Sequence, residues 1–251
     1  MAGLLKLKLE PFEPGTLPFA YREGVQGLIY RALPDQLSRW LHDEGIPTER
    51  GRWKPFVFSR LYGKLHPDTA KKVFAVSGPV YLKVASPRDE VIEGLALGLL
   101  RSGVVRLDGM RFSPSEMRVS PIEPPGEAPL LVARSPVTVF TKEGGRRRYF
   151  GANEPEFGKK LLENLRVKAR ALGLDEAARA DAEITPLDPV PHNKKVERFK
   201  KMIIEGWMGR YRIEGPPELT WVALTSGLGA LGSQGFGFVE VAGDRRNRED
   251  R

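Results

Sequence analysis

Apolar and polar residues alternate over positions 4–10, Leu-Leu-Lys-Leu-Lys-Leu-Glu, the period of a strand with one buried face. A turn-rich segment, 11–18, separates this from a different rhythm. Val25, Leu28, Ile29 and Ala32 recur at helical spacing, which predicts a helix over 22–33. Pro34 stops that helix and can open another at 35–44, with Leu37, Trp40 and Leu41 on one face and Gly45 at its end. Apolar runs predict strands at 54–59 and 80–85, with a short third piece at 73–76 between them. Ser86 reads as the cap of a helix that carries Val91, Leu95 and Leu99 to Gly103, and Pro87 suits its first turn. A strand at 116–122 closes the series. The order β-α-β-β-α-β is that of a ferredoxin-like unit.

Proline and glycine then concentrate at 121–129, and the pattern restarts. Strands at 137–140 and 146–150 flank Gly144-Gly145, and a helix spans 154–172 up to Gly173. Segments 182–190, 195–204 and 207–214 read as strand-rich, with 199–204 ambiguous. Pro216-Pro217 open a last helix that runs to Ser226, and 236–241 ends the second unit as a strand. The expected architecture is α+β, with tandem ferredoxin-like (RRM-like) domains at 1–125 and 126–243. A charged tail, 244–251, is expected to be disordered.

Composition narrows the partners. With 251 residues, 41% of them hydrophobic, the chain can fill two small cores. It has no run of 18 apolar residues and no signal-peptide pattern at its start, so a membrane span is not expected and the cytoplasm is the expected location. The absence of cysteine excludes disulfides, thiolate metal sites and a cysteine nucleophile. The three histidines, His42, His66 and His192, lack paired spacing, so neither a metal site nor a cofactor is expected. A net charge of +8, a pI near 9.7 and an excess of arginine over lysine point to a polyanion, since guanidinium groups fork onto phosphates and stack on bases. Few Asn and Gln, no Cys and 21 Pro suit a heat-tolerant source.

The stretch 227–237 reads Gly-Leu-Gly-Ala-Leu-Gly-Ser-Gln-Gly-Phe-Gly. Its glycines Gly227, Gly229, Gly232, Gly235 and Gly237, with Ser233 and Gln234, lie between a helix and a short strand. Such a turn lets backbone N–H groups approach a phosphate. A dinucleotide fingerprint needs strand, loop, then helix, the reverse of the order here, and no Gly-Lys-Ser/Thr follows to make a Walker loop.

A final helix followed by Gly-Leu-Gly and Ser-Gln-Gly-Phe-Gly-Phe-Val, near the end of a basic chain of this length, resembles the CRISPR precursor-RNA processing endoribonucleases of the repeat-associated RNA-binding superfamily. The chain departs from that family at Ala230-Leu231-Gly232, where relatives often carry a lysine or arginine; the loop's expected role is therefore through its backbone. The resemblance implies tandem ferredoxin-like domains and metal-independent cleavage of CRISPR repeat RNA. The attacking group would be the RNA's own 2′-hydroxyl, leaving 5′-hydroxyl and 2′,3′-cyclic phosphate ends. Besides the repeat RNA, it admits a homodimer and a CRISPR effector complex as partners. A non-catalytic repeat-RNA-binding subunit is the alternative, since non-cleaving relatives share the fold and loop. Phe56-Val57-Phe58 has some likeness to an RRM stacking strand, but the glycine-aromatic pattern of that strand is missing.

His42 is the first catalytic candidate. It lies near a predicted helix C-terminus, which favours a protonated imidazole, among polar residues that suit exposure. The resemblance assigns cleavage to a histidine in this helical region. It also supports Tyr30, on the preceding helix, as a helper whose hydroxyl could position the reacting oxygens. Arg22 and Lys54 are candidates for stabilising charge on the scissile phosphate. His66, before Pro67, reads as a turn residue. For RNA binding, Arg146, Arg147 and Arg148 follow a Gly-Gly turn beside Tyr149 and Phe150 and could reach phosphates or a groove. His192, Lys194 and Lys195, with Arg198, Lys200 and Lys201, form a second basic run.

Overall fold

A computed structural model describes residues 2–125 and 128–243 of the chain. The N-terminal half runs β1 (Gly3–Pro11), β2 (Gly15–Pro18), α1 (Arg22–Ala32), α2 (Asp35–Arg39) and a π-helical turn at Trp40–Glu44. There follow the small hairpin β3 (Ile46–Thr48) and β4 (Gly51–Trp53), then β5 (Val57–Phe58), β6 (Tyr62–Asp68), β7 (Val73–Ser86), α3 (Asp89–Ser102), β8 (Val105–Leu107) and β9 (Met110–Pro121). β1 lies between β7 and β9 and is antiparallel to both, while β5 and β6 pair with the outer side of β7. This is the ferredoxin-like arrangement. The alternation read in 4–10 is real: Leu5, Leu7 and Leu9 enter the core, where they meet Val25, Leu28 and Ile29 of α1 and Val91, Leu95 and Leu99 of α3.

The C-terminal half repeats the plan with β10 (Leu130–Ala133), the hairpin β11 (Phe140–Glu143) and β12 (Arg146–Tyr149), α4 (Pro155–Ala171), α5 (Asp175–Arg179) and β13 (Glu183–Pro186). It continues through the hairpin β14 (Lys194–Phe199) and β15 (Met202–Trp207), then β16 (Arg210–Glu214), α6 (Pro217–Ser226) and β17 (Val239–Val241). The sheet order β13-β16-β10-β17 is again ferredoxin-like. Phe157, Leu161 and Leu165 of α4 and Leu219, Val222 and Ala223 of α6 fill its core. Among the described residues, no helix is long and apolar enough to cross a membrane.

Several expectations change. The pieces at 73–76 and 80–85 are one strand, β7, and the Gly78-Pro79 between them sits where the pairing to β6 shifts at a bulge. Segment 11–18 contains β2, which borrows its partner from β7. Segment 54–59 yields only Val57–Phe58 as strand, because the backbone of Ser59 and Arg60 turns to Lys83 and Arg134. Ser86 does not cap α3. Its hydroxyl donates to the Pro55 carbonyl at 2.6 Å and accepts from the Arg88 amide at 3.1 Å, and Arg88 is the residue at the cap. β9 begins at Met110 because 105–112 folds back as a hairpin with β8. His66 stands on β6 opposite Ala75, not in a turn. In the second half, 195–204 splits into β14 and β15 at Lys200-Lys201, with Lys200 at φ 54°. Segment 137–140 makes isolated bridges before β11 starts, and α5 follows α4 where no helix is expected. The tail at 244–251 lies outside the described residues.

The halves are joined by buried charge. Lys83 of β7 meets Glu240 of β17 at 2.9 Å, and Arg134 takes the other carboxylate oxygen at 2.8 Å. Beyond that pair, Val57, Ala85 and Phe238 form a small shared apolar cluster.

Candidate functional site

The end of α1 and the π-helical turn build one exposed cluster. Gly45 N–H donates to the Trp40 carbonyl at 2.8 Å, five residues back, and this wider turn is a feature common at functional sites. Leu41 anchors it in the core, while the neighbouring His42 side chain is 70% exposed. Tyr30 lies edge-on to the His42 ring with centroids 5.7 Å apart. Lys54, just past β4, donates its ammonium to the His42 carbonyl at 2.6 Å and stands 5.6 Å from the Tyr30 ring centre. Three of the four catalytic candidates therefore share one place.

Electrostatics gives each a distinct capacity. The His42–Asp43 hydrogen bond, 2.6 Å from Nδ1 to Oδ1, draws the Asp43 carboxyl below its ordinary range. An ionised carboxylate only accepts, so Nδ1 carries a proton and Nε2 is left to exchange one with a ligand. Burial, and then the charge of Asp43, push the Tyr30 hydroxyl up to about 12. It is buried without a partner, a donor awaiting an acceptor. Burial pulls Lys54 down, the nearby Asp43 opposes this, and Lys200 at the tip of the β14–β15 hairpin adds like charge. Asp43 was not singled out from the sequence, and Lys200 was read only as part of the second basic run. The adjacency of Asp43 to His42 was a visible signal; the approach of Lys200 to Lys54 had none, since only the fold carries it across from the other half.

Arg22 does not fit the phosphate-binding role expected of it. Its side chain is 2% exposed, its Nε lies 2.5 Å from Glu197 Oε2 on β14, and its Nη1 donates to the Gly235 carbonyl. Arg60 binds the other Glu197 oxygen. Burial alone would raise the Glu197 carboxyl, but the two guanidinium charges reverse this and hold it at about 2. Arg22 is a joint between halves, with its guanidinium over the Phe236 ring.

The glycine-rich loop needs a similar correction. Gly227, Gly229, Gly235 and Gly237 are buried, and Ala230, Leu231, Gly232, Ser233 and Gln234 between them are partly exposed. Added side chains at the first group would strike protein: Val57 at Gly227, the Thr138 carbonyl at Gly229, the Phe58 ring at Gly235 and the Leu228 carbonyl at Gly237. Gly227 and Gly235 let the loop close on the N-terminal half, and Gly229 and Gly237 let it close on its own half. Gln26 of α1 donates to the Ser233 carbonyl at 2.6 Å, so several loop carbonyls face inward. The amides of Leu231, Gly232 and Ser233 have no acceptor among the described residues, which narrows any phosphate cradle to them. Gly235→Ala, at φ 84° and against a fully buried ring, is expected to cost about 2 kcal/mol or more. Thermal unfolding should show a Tm lower by about 4–8 °C. An unchanged Tm would contradict the joint.

Of the second basic run, Lys200 reaches this cluster through its charge on Lys54, and the Arg146–Arg148 strand is placed by other contacts. Arg147 stacks on Phe140 and Arg148 on Phe150, with Arg148 also paired to Glu154 at 2.8 Å; Arg146 is exposed at the turn. His192 sits exposed in a 3-10 turn, where its carbonyl accepts from Lys195 at 2.7 Å, and Lys194 pairs with Glu205 at 2.7 Å. The described residues hold no group of three or more His, Asp or Glu placed to share a metal ion.

Residues 123–241 match the family model described as CRISPR associated protein Cas6, C-terminal. A curated relative from Methanocaldococcus jannaschii, CRISPR-associated endoribonuclease Cas6 1, is 25% identical over 98% of this chain and 96% of its own length. The CRISPR-associated endoribonuclease Cas6 of Pyrococcus furiosus is 27% identical over 93% of this chain and 86% of its own. A solved structure described as a Cas6-related gene from Pyrococcus furiosus superposes with a TM-score of 0.77 at 18% identity, covering 98% of this chain and all of that one. The likeness thus extends through both halves, including the loop and the helix that precedes it, and these findings together support a CRISPR-processing protein of the Cas6 type.

Proposed function

We propose that the chain is an endoribonuclease that cuts CRISPR repeat RNA by attack of the RNA's own 2′-hydroxyl, with no metal ion taking part. The observation that carries this reading is the convergence of His42, Tyr30 and Lys54, with the His42 ring exposed and the Tyr30 hydroxyl buried behind it. Transesterification within RNA needs a proton moved off the nucleophile, one delivered to the leaving oxygen, and compensation for charge on the phosphorane. His42 Nε2 is suited to the proton transfers. The Lys54 ammonium supplies the charge. The Tyr30 hydroxyl keeps its proton at neutral pH and serves as a hydrogen-bond donor that places the reacting oxygens.

RNA recognition is assigned to the amides of Leu231, Gly232 and Ser233, the Arg146–Arg148 strand edge and the basic run His192, Lys194 and Lys195. Phosphate contacts of this kind position an RNA, whereas base contacts specify it. Arg22 supports the loop without touching the RNA.

Incubation of the protein with its host's repeat RNA in EDTA tests the proposal. Cleavage at one site, with 2′,3′-cyclic phosphate and 5′-hydroxyl ends, is the expected result. Loss of cleavage that Mg²⁺ or Mn²⁺ restores, with RNA folding unchanged, would refute it.

A further inference from the structure

Lys168 of α4 is buried beneath the glycine-rich loop with only 4% of its surface exposed. Buried ammonium groups ordinarily have a carboxylate partner. This one instead donates to three carbonyls at the end of α6: Gly227 at 2.6 Å, Gly229 at 2.7 Å and Ser226 at 3.2 Å. A helix C-terminus leaves such carbonyls unmatched within the helix and favours a cation there. With Ser233 held by Gln26 and Gly235 by Arg22, the loop's carbonyls are drawn inward along its length. In its partly exposed stretch, 230–234, the amides of Leu231, Gly232 and Ser233 are those left over.

We propose that Lys168 is a positioning residue for RNA recognition: as an ammonium it fixes the first half of the glycine-rich loop in the shape that offers these amides to an RNA phosphate. The inference rests on the RNA-binding function proposed above. An ammonium has three donors for three carbonyls, whereas the neutral amine has two, so loss of the proton releases one carbonyl. Burial brings the group down to about 7, within the range where it changes charge. A phosphate bound outside the loop favours the charged form. By linkage, RNA binding takes up a proton here and weakens as pH rises through about 7.

The charges around Lys168 do not supply an alternative partner. On α4, Glu163 pairs with Arg50 and Lys160, Arg166 binds the Ala180 carbonyl, and Arg170 pairs with Glu49. On α5, Asp175 and Glu176 lie in the first turn and Arg179 in the last; on β13, Glu183 is exposed; on α6, Glu218 is in the first turn, at the far end from Ser226. The loop itself carries no charged residue. Burial is the whole cause of the shift.

The test uses repeat RNA made uncleavable by a 2′-deoxy nucleotide at the cut, with affinity measured from about pH 6 to about pH 8.5. Wild type should lose about tenfold across that range, the equivalent of one pKa unit of coupling. Lys168→Met should bind at the weak, high-pH level throughout, and amides of 227–237 should exchange hydrogen faster. Lys168→Arg, charged at every pH, should restore tight binding and flatten the profile. A Lys168→Met protein with wild-type affinity, or a Lys168→Arg protein that keeps the wild-type pH profile, would overturn the proposal. A wild type that binds no repeat RNA at any pH would instead bring down the functional reading beneath it.

Discussion

His42→Ala is expected to slow single-turnover cleavage of repeat RNA by at least about a hundredfold, the lower end of what a positioned acid–base group contributes. RNA affinity should stay close to wild type. The split follows from the geometry. The imidazole is mostly exposed and takes no part in the core, so its removal opens no cavity. Lys54 holds the backbone carbonyl of His42, which alanine retains, so the neighbouring cation should stay in place. What is lost is the ring whose Nε2 exchanges the proton. Enzyme concentration at half-maximal rate should barely move while the maximal rate collapses. Near-normal cleavage by the variant would remove His42 from the mechanism and return the chain to a repeat-RNA-binding role.

An equally large effect should come from the RNA. One 2′-deoxy substitution at the nucleotide just upstream of the scissile phosphate should abolish cutting, because the nucleophile itself is gone. Binding should persist, since a single hydroxyl accounts for one or two hydrogen bonds of about 1 kcal/mol each. The substituted RNA should compete with the natural one at similar affinity. A water-driven nuclease would cut both. Efficient cleavage of the deoxy RNA at the same bond would end the 2′-hydroxyl mechanism and leave the fold and RNA binding untouched.

Long, clean periodicity was the legible part of the sequence. The alternation in 4–10 and the helical stripe of Val25, Leu28 and Ile29 lead to β1 and α1 within a residue or two, and Pro216-Pro217 mark the start of α6. Tyr30, His42 and Lys54 were readable because they occupy one local excursion, the end of a helix, the turn after it and the hairpin beyond. The roles of Arg22 and the loop glycines were not. Arg22 finds its partners 175 and 213 positions away, and local pattern carries no trace of contacts that distant. An arginine that opens a helix looks solvent-facing until the other half of the chain covers it. Lys168 was hidden for the same reason: on α4 it reads as one more cation on a polar face, and only the returning end of α6 turns it inward.

Glu197 on the β14–β15 hairpin is held by Arg22 and Arg60, and the same Arg22 grips the loop at Gly235. Hairpin and loop are thus fastened to the helix that carries Tyr30. The proposed grip on the RNA and the proposed cutting site form a single calliper with its jaws set. If hairpin and loop hold the RNA as proposed, the cut should fall at a constant number of nucleotides from the held segment, whatever sequence lies between, because this buried joint fixes that distance.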